Sequence, residues 1–336
     1  MRVSSPLSLP PFLQRSLEAG LHSFLYPDSA SDKHFLEPEG ERALVSPQSV
    51  SWRIFKNPVA LFVGGIAAVV FELAEPRVRT GVWQHTNFHS QPLERMRRTG
   101  LAAMTTVYGP RSVSEDLIAH IVRRHQNVHG TTSTGQRYSA TDPGLLSWVY
   151  ATATYSFFQA YSRYVCPLEN KTLDSFCQEG LSAAELYGAI YAPRSSYEMN
   201  TLFDLMQKYL EASPIVFEFL KIMQLGPILP AISRPMQRIL VRAAVDIVPT
   251  RVKQRLGLTD NWRLRPWEAV LVKQIGRICD RVIIRSHPAV QSCLRLGLPA
   301  EYLYQHIQME HDLAWEEQTQ HHEAATVSRF GSRKNH

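Results

Sequence analysis

The sequence predicts an all-α protein built as a single multi-helix domain, and three observations carry this prediction. Apolar residues recur at helical spacing through most of the chain. Strand-like alternation is nearly absent, with one weak candidate at residues 281–284. Prolines and short polar stretches separate the periodic segments, but none of them forms a linker that would mark a domain boundary. We therefore expect helices packed around one core.

Length and composition fit a globular protein. The chain has 336 residues, of which 44% are hydrophobic and 20% charged, so it can bury a sizeable core. The net charge of +6 comes from scattered basic residues, and no motif that reads nucleic acid is present, so nucleic acid is not an expected partner. The 4 cysteines form no CxxC pair, which is typical of reduced thiols in a cytoplasmic protein.

We predict three regions along the chain. Residues 1–50 form a peripheral helix and loop, 51–300 form the main helical domain, and 301–336 form a C-terminal helix and a polar tail. In the first region, 11–26 has the spacing of an amphipathic helix, either packed on the core or in peripheral contact with a membrane. Early prolines argue against a signal peptide, and the longest apolar run, 59–71, is shorter than the roughly 20 residues of a membrane span.

The main domain begins with a helix that opens at Pro58 and is ended or kinked at Pro76. This helix is apolar on nearly all sides, which predicts a place in the middle of the domain. The glycine pair at 64–65 would let a neighbouring helix or a flat ligand approach closely. Of the two carboxylates near its end, Glu75 is expected to pair with a nearby arginine, whereas the role of Glu72 stays open.

A cluster of polar side chains follows on the next predicted helix. If that helix starts near Pro92, then Arg95, Arg98 and Thr99 share one face, at i, i+3 and i+4. The apolar run 101–107 continues the helix on an uncharged face. These polar residues therefore either point inward or form a solvated basic face. A buried guanidinium would need a carboxylate partner.

Two histidines mark the following helix. It is expected to start with a capping box at Ser112 and to end at Gly130 as a C-cap. His125 falls within the apolar stripe of this helix, and His129 follows one turn later. A histidine in such a position is either a hydrogen-bonded core residue or a ligand. The glycine-rich segment 130–135 lacks the Lys-Ser/Thr pair of a phosphate-binding loop.

Further helices are predicted towards the C-terminus. Asp142 would cap a long helix at 143–164, whose aromatic stripe suits either a core or the wall of an apolar ligand site. Shorter helices are expected at 173–191, 199–211, 214–224, 234–247 and 264–286. The motifs GxSxG, HExxH and GxGxxG are absent, which excludes the common hydrolase, zinc-protease and dinucleotide-binding classes.

Several of these segments together resemble a known oxygenase family. The family includes the bacterial latex-clearing (rubber) oxygenases and the fungal MpaB-type enzyme of mycophenolic acid biosynthesis. The resemblance runs from about residue 50 to about residue 300, and its order and spacing are specific. It is carried by the glycine pair at 64–65, the segments 82–88 and 92–99, the motif at 125–130, and 138–150.

The resemblance implies a helical domain packed around a buried haem b. It implies that His125, in the pattern His-x-x-Val-x-Gly, is the proximal iron ligand, with His129 as the second choice. Arg95, Arg98 and Thr99 match an element that lines the distal side, and Arg98 stands where rubber oxygenases have a lysine that can cap the iron. A guanidinium is a very poor iron ligand, so an open or water-bound distal site is expected.

Two further positions matter for the haem site that the resemblance implies. Tyr150 stands where many relatives have a histidine. Phenolate can ligate haem iron, so this tyrosine either replaces a ligand or lines the pocket. His85 matches another recurrent histidine, which is structural, supports a ligand or is itself a ligand.

Three functions follow as hypotheses. The first is a haem-b-dependent oxygenase acting with O₂ on an apolar substrate, isoprenoid or unsaturated lipid, with oxidative C=C cleavage as one outcome. Arg95, Arg98 and Thr99 would be its catalytic residues. The alternative is a non-catalytic haem- or lipid-binding protein, which the tyrosine at position 150 favours. The third is a structural helical protein without a cofactor.

Overall fold

The structure, a computed structural model, describes residues 6–7, 14–15, 18, 34–86, 91–228 and 233–305. This part of the chain contains 14 α-helices and one small two-stranded sheet, so the all-α prediction is confirmed. The helices are α1 (Val50–Phe55), α2 (Pro58–Ala74), α3 (Pro76–His85), α4 (Pro92–Tyr108), α5 (Arg111–His125), α6 (Pro143–Tyr164), α7 (Asn170–Glu179), α8 (Leu181–Tyr187), α9 (Ser196–Met206), α10 (Pro214–Leu225), α11 (Arg234–Asp246), α12 (Thr250–Leu256), α13 (Pro266–Cys279) and α14 (Pro288–Arg295).

Helix α2 lies at the centre of the core, as its apolar sequence predicts. The Asn57 side chain caps it by accepting hydrogen bonds from the backbone N–H groups of Val59 and Ala60, both at 3.1 Å. Most of the helix is buried, and it packs against α6, α10, α11 and α13. A Cβ added at Gly64 would lie 2.6 Å from the Phe157 ring on α6. The neighbouring helix, rather than a flat ligand, therefore occupies the space at Gly64.

Pro76 separates α2 from α3 with a sharp bend. The preceding residue, Glu75, is extended (φ −87°, ψ 118°), as expected before proline, and the two helices meet at 104°. Its buried carboxylate accepts a hydrogen bond from the Val78 N–H and pairs with Arg77 at 2.7 Å. The predicted pairing of Glu75 is thus confirmed, and the same carboxylate caps α3.

The region after α5 differs from the prediction. The helix ends at His125, and the chain then forms an antiparallel hairpin of β1 (His129–Thr131) and β2 (Arg137–Ser139). The expected C-cap at Gly130 is therefore wrong, because this glycine lies in β1 against the Tyr138 ring. The capping box at Ser112 is also wrong, since its N–H and hydroxyl donate to Glu41 and α5 begins one residue earlier.

Other boundaries also differ. The segment 173–191 forms two helices, α7 and α8, and the second ends at Gly188 in the left-handed conformation (φ 88°). Helices α1, α12 and α14 were not predicted. The strand candidate at 281–284 is reduced to a single bridge between Val282 and Leu7. The amphipathic segment 11–26 lies outside the described residues except for three helical positions, and so does 306–336.

Within the described residues, no single helix has the length and apolar character needed to cross a membrane. Helices α2 and α3 meet the criterion of length and composition only as a pair, despite the bend between them.

Candidate functional site

Three helices bring Glu72, Arg95 and His125 into one electrostatic neighbourhood. Glu72 lies in the last turn of α2, Arg95 in the first turn of α4, and His125 is the last residue of α5. All three are half-buried. Their charges are close enough that Arg95 shifts the pKa values of both other groups. We refer to these three residues as the α2–α4–α5 cluster.

Glu72 is the carboxylate of this cluster. Burial raises its pKa to about 7, although the positive charge of Arg95 acts in the opposite direction. No residue in the described ranges donates a hydrogen bond to this carboxylate. A carboxyl group that titrates near neutral pH can both accept and donate a proton there.

The pKa of Arg95 is shifted by the same surroundings. Burial and the neighbouring charge of Arg98 lower its pKa, whereas Glu72 raises it. Desolvation is the largest of these causes, yet a guanidinium stays protonated at neutral pH. Arg95 therefore places a permanent positive charge near both a carboxyl group and an imidazole.

His125 is neutral at pH 7. Burial lowers its pKa, and the positive charge of Arg95 lowers it further. Its Nδ1 atom is buried and has no hydrogen-bond partner among the described residues. Buried polar atoms in proteins are nearly always hydrogen-bonded, so an exception calls for an explanation such as a ligand or a metal.

The donor chemistry of this cluster fits haem. An imidazole that binds haem iron must be neutral. The His125 ring would supply such a ligand, because its pKa is lowered and its Nδ1 has no hydrogen-bond partner among the described residues. The nearby guanidinium of Arg95 suits a haem propionate. The described part of the chain has no group of three or more His, Cys, Asp or Glu that could hold a metal ion. A porphyrin-bound iron does not need such a group.

The other predicted residues of α4 face solvent. Arg98 and Thr99 are exposed, and Arg98 pairs with Glu94 at 3.7 Å across one helical turn. Only Arg95 of the three points towards the interior. Arg98 still influences the electrostatics of the site, because its charge lowers the pKa of Arg95.

Two predicted histidines lie on the hairpin side of the molecule. His85 is exposed at the end of α3, and its Nε2 is 3.1 Å from the Tyr138 hydroxyl, which in turn donates to Gln84 at 3.1 Å. His129 is exposed on β1. Both contact the hairpin or belong to it, and neither is among the groups that shift the pKa of His125.

The Tyr150 side chain makes its contacts outside the α2–α4–α5 cluster. Its hydroxyl donates to the Cys177 carbonyl at 3.1 Å, and its ring packs close to Gly180, between α7 and α8. Burial raises the pKa of the phenol well above its ordinary value, so it is protonated. In this position Tyr150 joins three helices rather than the α2–α4–α5 cluster.

Aromatic residues form a wall next to the end of α2. The Phe71 ring makes edge contacts with Trp148, Tyr155 and Phe203, at centroid distances of 6.1, 5.9 and 5.2 Å. The Nε1 atom of Trp148 is buried and has no partner within the described ranges. Tyr155 stays half-buried, and burial raises its pKa to about 12. Much of the predicted aromatic stripe is therefore core, packed directly beside the position of Glu72.

A family model matches residues 52–277, about two thirds of the chain, and its description reads "ER-bound oxygenase mpaB/B'/Rubber oxygenase, catalytic domain". The chain belongs to this family. The suspected resemblance is thereby confirmed, and the family places the protein among oxygenases. No curated protein and no solved structure matches the chain.

The matched range contains the whole α2–α4–α5 cluster and ends within α13. Arg95 and His125 were candidates in the sequence analysis, whereas the role of Glu72 stayed open. Its signal was a single charged residue in an otherwise apolar helix, one turn before a proline. Only the structure shows that the charge of Arg95, on α4, lies close enough to act on this carboxyl group.

Proposed function

We propose that the protein is a haem-b-dependent oxygenase that acts with O₂ on an apolar substrate of the isoprenoid or unsaturated-lipid class. The observation that carries this proposal is His125, whose lowered pKa favours the neutral ring and whose buried Nδ1 has no hydrogen-bond partner within the described ranges, near the charge of Arg95. That charge also acts on Glu72. Family membership supports oxygenase chemistry. The cluster supports the location of that chemistry.

In this proposal His125 holds the iron through a ring nitrogen. Arg95 supplies a permanent positive charge that suits a propionate, and Arg98, exposed one turn later, provides a second one. When bound, haem supplies the O₂ chemistry. Thr99, also exposed, remains a candidate for a hydrogen bond to a ligand that reaches the surface of α4.

Glu72 is the proton-transfer group of the proposed site. Its carboxyl has a pKa of about 7, so at neutral pH a large fraction is ionised and can accept a proton from a substrate carbon or oxygen. The charge of Arg95 favours the ionised form and would hold the carboxylate ready for this step. Both groups are half-buried, which strengthens their interaction compared with that in water.

The aromatic residues next to the end of α2 support the choice of an apolar substrate class in this proposal. Tyr155 and Phe203 are half-buried and keep some ring surface beside the end of α2, where they pack on the fully buried rings of Phe71 and Trp148. Such apolar surfaces exclude water from a reacting centre. An apolar chain would pack on them with little desolvation cost. A polar substrate would find few hydrogen-bond partners there.

The alternative is a haem- or lipid-binding protein without turnover. Its main support in the sequence is Tyr150, which stands where relatives carry a histidine. The Tyr150 hydroxyl is bonded to the Cys177 carbonyl, so the substitution does not remove a group from the α2–α4–α5 cluster. This contact favours the oxygenase over the alternative.

Two measurements on one preparation test the proposal. Protein expressed with a supply of haem should show a Soret band, and a pyridine haemochrome assay should give one haem b per chain. Oxygen uptake should then rise when polyprenyl or unsaturated-lipid substrates are added. Haem without oxygen uptake would support the non-catalytic alternative. A colourless protein that takes up no added haemin would contradict both.

A further inference from the structure

Helix α13 carries an unusual outer face. Its single carboxylate, Glu268, is buried and paired with Arg242, whose Nε lies 3.0 Å away. Three large apolar residues of the same helix are instead exposed: Trp267 at 55%, Val270 at 57% and Ile278 at 52%. Positions three, eight and eleven residues apart lie on one side of a helix, so these three form one stripe.

This apolar stripe lies in the most basic part of the chain. Residues 234–285 contain twelve Lys or Arg and four Asp or Glu, so their excess of positive charge exceeds the net charge of +6 of the whole chain. Three of the four acids are already paired, namely Glu268 with Arg242, Asp280 with Lys56 and Asp246 with Arg163. The positive charge of this region is therefore largely uncompensated.

Basic residues lie next to the stripe at both ends. Arg263 is exposed just before α13 begins, and Arg277 is exposed on the outer face of its last turn. Gln274, also exposed, lies between the apolar residues. The outer face thus has an apolar centre, basic ends and no carboxylate.

A second group of exposed apolar residues provides a comparison. The exposed apolar residues of this group lie from α8 to the 3-10 turn that follows α9, namely Leu186, Ile190, Tyr191, Tyr197, Leu205 and Tyr209. The segment 186–209 contains two basic and two acidic residues, so its charges are balanced. Exposed apolar surface is thus not special to α13. What distinguishes α13 from the other group is that its exposed apolar residues lie in a region with a large excess of positive charge.

We propose that the outer face of α13 docks the protein on the surface of an anionic lipid bilayer. A helix with an exposed apolar stripe and basic flanks lies in the membrane interface, with the apolar side chains below the headgroups. Tryptophan is enriched at that depth, and arginine pairs with anionic headgroups. The stripe spans roughly 17 Å along the helix axis, enough for several lipids in a row.

Docking of this kind goes beyond the proposed oxygenase function and does not depend on haem or turnover. If both hold, an apolar substrate dissolved in the bilayer would be delivered to a protein that rests on the same surface. Vesicle binding can be measured on protein without haem. Its failure is therefore distinguishable from a failure of the oxygenase proposal.

The test is co-flotation of the full-length protein with lipid vesicles. We expect little binding to vesicles of phosphatidylcholine alone, and clear binding when phosphatidylserine is included. High salt should weaken this binding, because the basic residues are exposed. The double variant Trp267→Ser/Ile278→Ser should bind at least about tenfold more weakly, since it loses the two apolar side chains that would enter the bilayer.

Two further variants separate charge from apolar contact. Arg263→Gln and Arg277→Gln should each weaken binding about fivefold without changing the fold. The matched control is Tyr197→Ser/Leu205→Ser, which removes equally exposed apolar residues from the charge-balanced surface. This control should bind vesicles like the wild type.

Three outcomes would overturn the proposal. The first is no preference for anionic vesicles, or equal loss of binding in the control variant. The second is a dimer in analytical ultracentrifugation that Trp267→Ser/Ile278→Ser dissociates, which would mean that a second copy covers the face. The third is vesicle binding that appears only in Glu316→Gln/Glu317→Gln, which would mean that the chain's own acidic C-terminal segment covers it.

Discussion

Charged side chains lie at or next to both ends of helix α2, but the two ends differ in how completely these charges are paired. At the N-terminal end, Lys56 forms an ion pair with Asp280 at 3.0 Å, and Asn57 donates to the same carboxylate at 3.1 Å. Tyr161 donates to its second oxygen at 3.1 Å. At the C-terminal end, no described residue donates a hydrogen bond to Glu72.

This difference separates a structural role from a chemical one. The Lys56 side chain is almost fully buried. In addition to the Asp280 carboxylate, its ammonium contacts the Tyr304 ring, whose centroid lies 4.6 Å away. This contact ties the end of the described chain to the core. A fully satisfied polar network fixes one conformation. The Glu72 end instead keeps a carboxyl with a pKa of about 7 near a neutral imidazole, the combination typical of an active site.

The largest change in stability is expected at the paired end. Lys56→Met should lower the free energy of unfolding by about 3 kcal/mol, because it removes the buried cation and leaves the half-buried Asp280 carboxylate without it. Urea unfolding measures this loss, with Lys171→Met as an exposed control. Haem content per folded chain should not change. Unchanged stability would mean that this network is not the structural anchor proposed here.

Glu72→Gln should raise the free energy of unfolding rather than lower it, and the size of this effect should depend on pH. The folded-state pKa of about 7 lies above the ordinary value of 4.5, so the folded protein binds more protons between these values and loses stability as pH rises through them. The variant lacks this loss and should be more stable at pH 8, by at most about 3 kcal/mol. Unfolding of the haem-free protein at pH 5 and pH 8 measures the difference.

Glu268→Gln is the matched control for this experiment. The Arg242 guanidinium and the Arg265 N–H hold the pKa of Glu268 below its usual range, although burial opposes them. The stability that this carboxylate contributes is therefore present at neutral pH and lost as pH falls below about 4.5. Its replacement should destabilise the protein at pH 8, whereas replacement of Glu72 stabilises it. The same sign for both variants would contradict the comparison.

Arg95→Gln should change protonation within the α2–α4–α5 cluster. Because the charge of Arg95 lowers the pKa values of both His125 and Glu72, its removal should raise both. Titration of the imidazole by NMR in the haem-free protein measures the shift, and Arg98→Gln should move it less. If His125 titrates at the same pH in both variants and in the wild type, Arg95 is not its neighbour.

The smallest effect is expected on the exposed side of α4. Arg98→Ala and Thr99→Ala should change the free energy of unfolding by no more than about 0.5 kcal/mol, because both side chains face solvent. Thermal unfolding checks this. A loss of more than 2 kcal/mol in either variant would show that these side chains point inward, contrary to the structure.

Local signals predicted much of the fold. The central helix opens at Pro58 as predicted, Asp142 caps its helix as expected, and the long helix at 143–164 has the predicted bounds. Proline and an acceptor side chain define such starts strongly. The ends were less predictable. After His125 the periodic pattern continues towards Gly130, and only the pairing with 137–139 turns these residues into a strand.

The candidate site was less predictable than the fold. The apolar stripe of α5 indicated His125, and the family resemblance indicated Arg95, Arg98, Thr99, His85, His129 and Tyr150. The sequence could not tell which of these share a neighbourhood, because that depends on how three helices meet. The role of Glu72 could not be predicted for the same reason, since it depends on the charge of Arg95, twenty-three residues further along the chain.

Haem content of the His125→Ala variant tests the central claim most directly. We expect it to fold like the wild type and to lose bound haem by pyridine haemochrome assay, because it lacks the imidazole whose Nδ1 has no hydrogen-bond partner in the described part of the chain. His129→Ala, an exposed histidine four residues away, should keep haem at the wild-type level. Full haem content in His125→Ala would contradict the account and would place the iron ligand outside the α2–α4–α5 cluster.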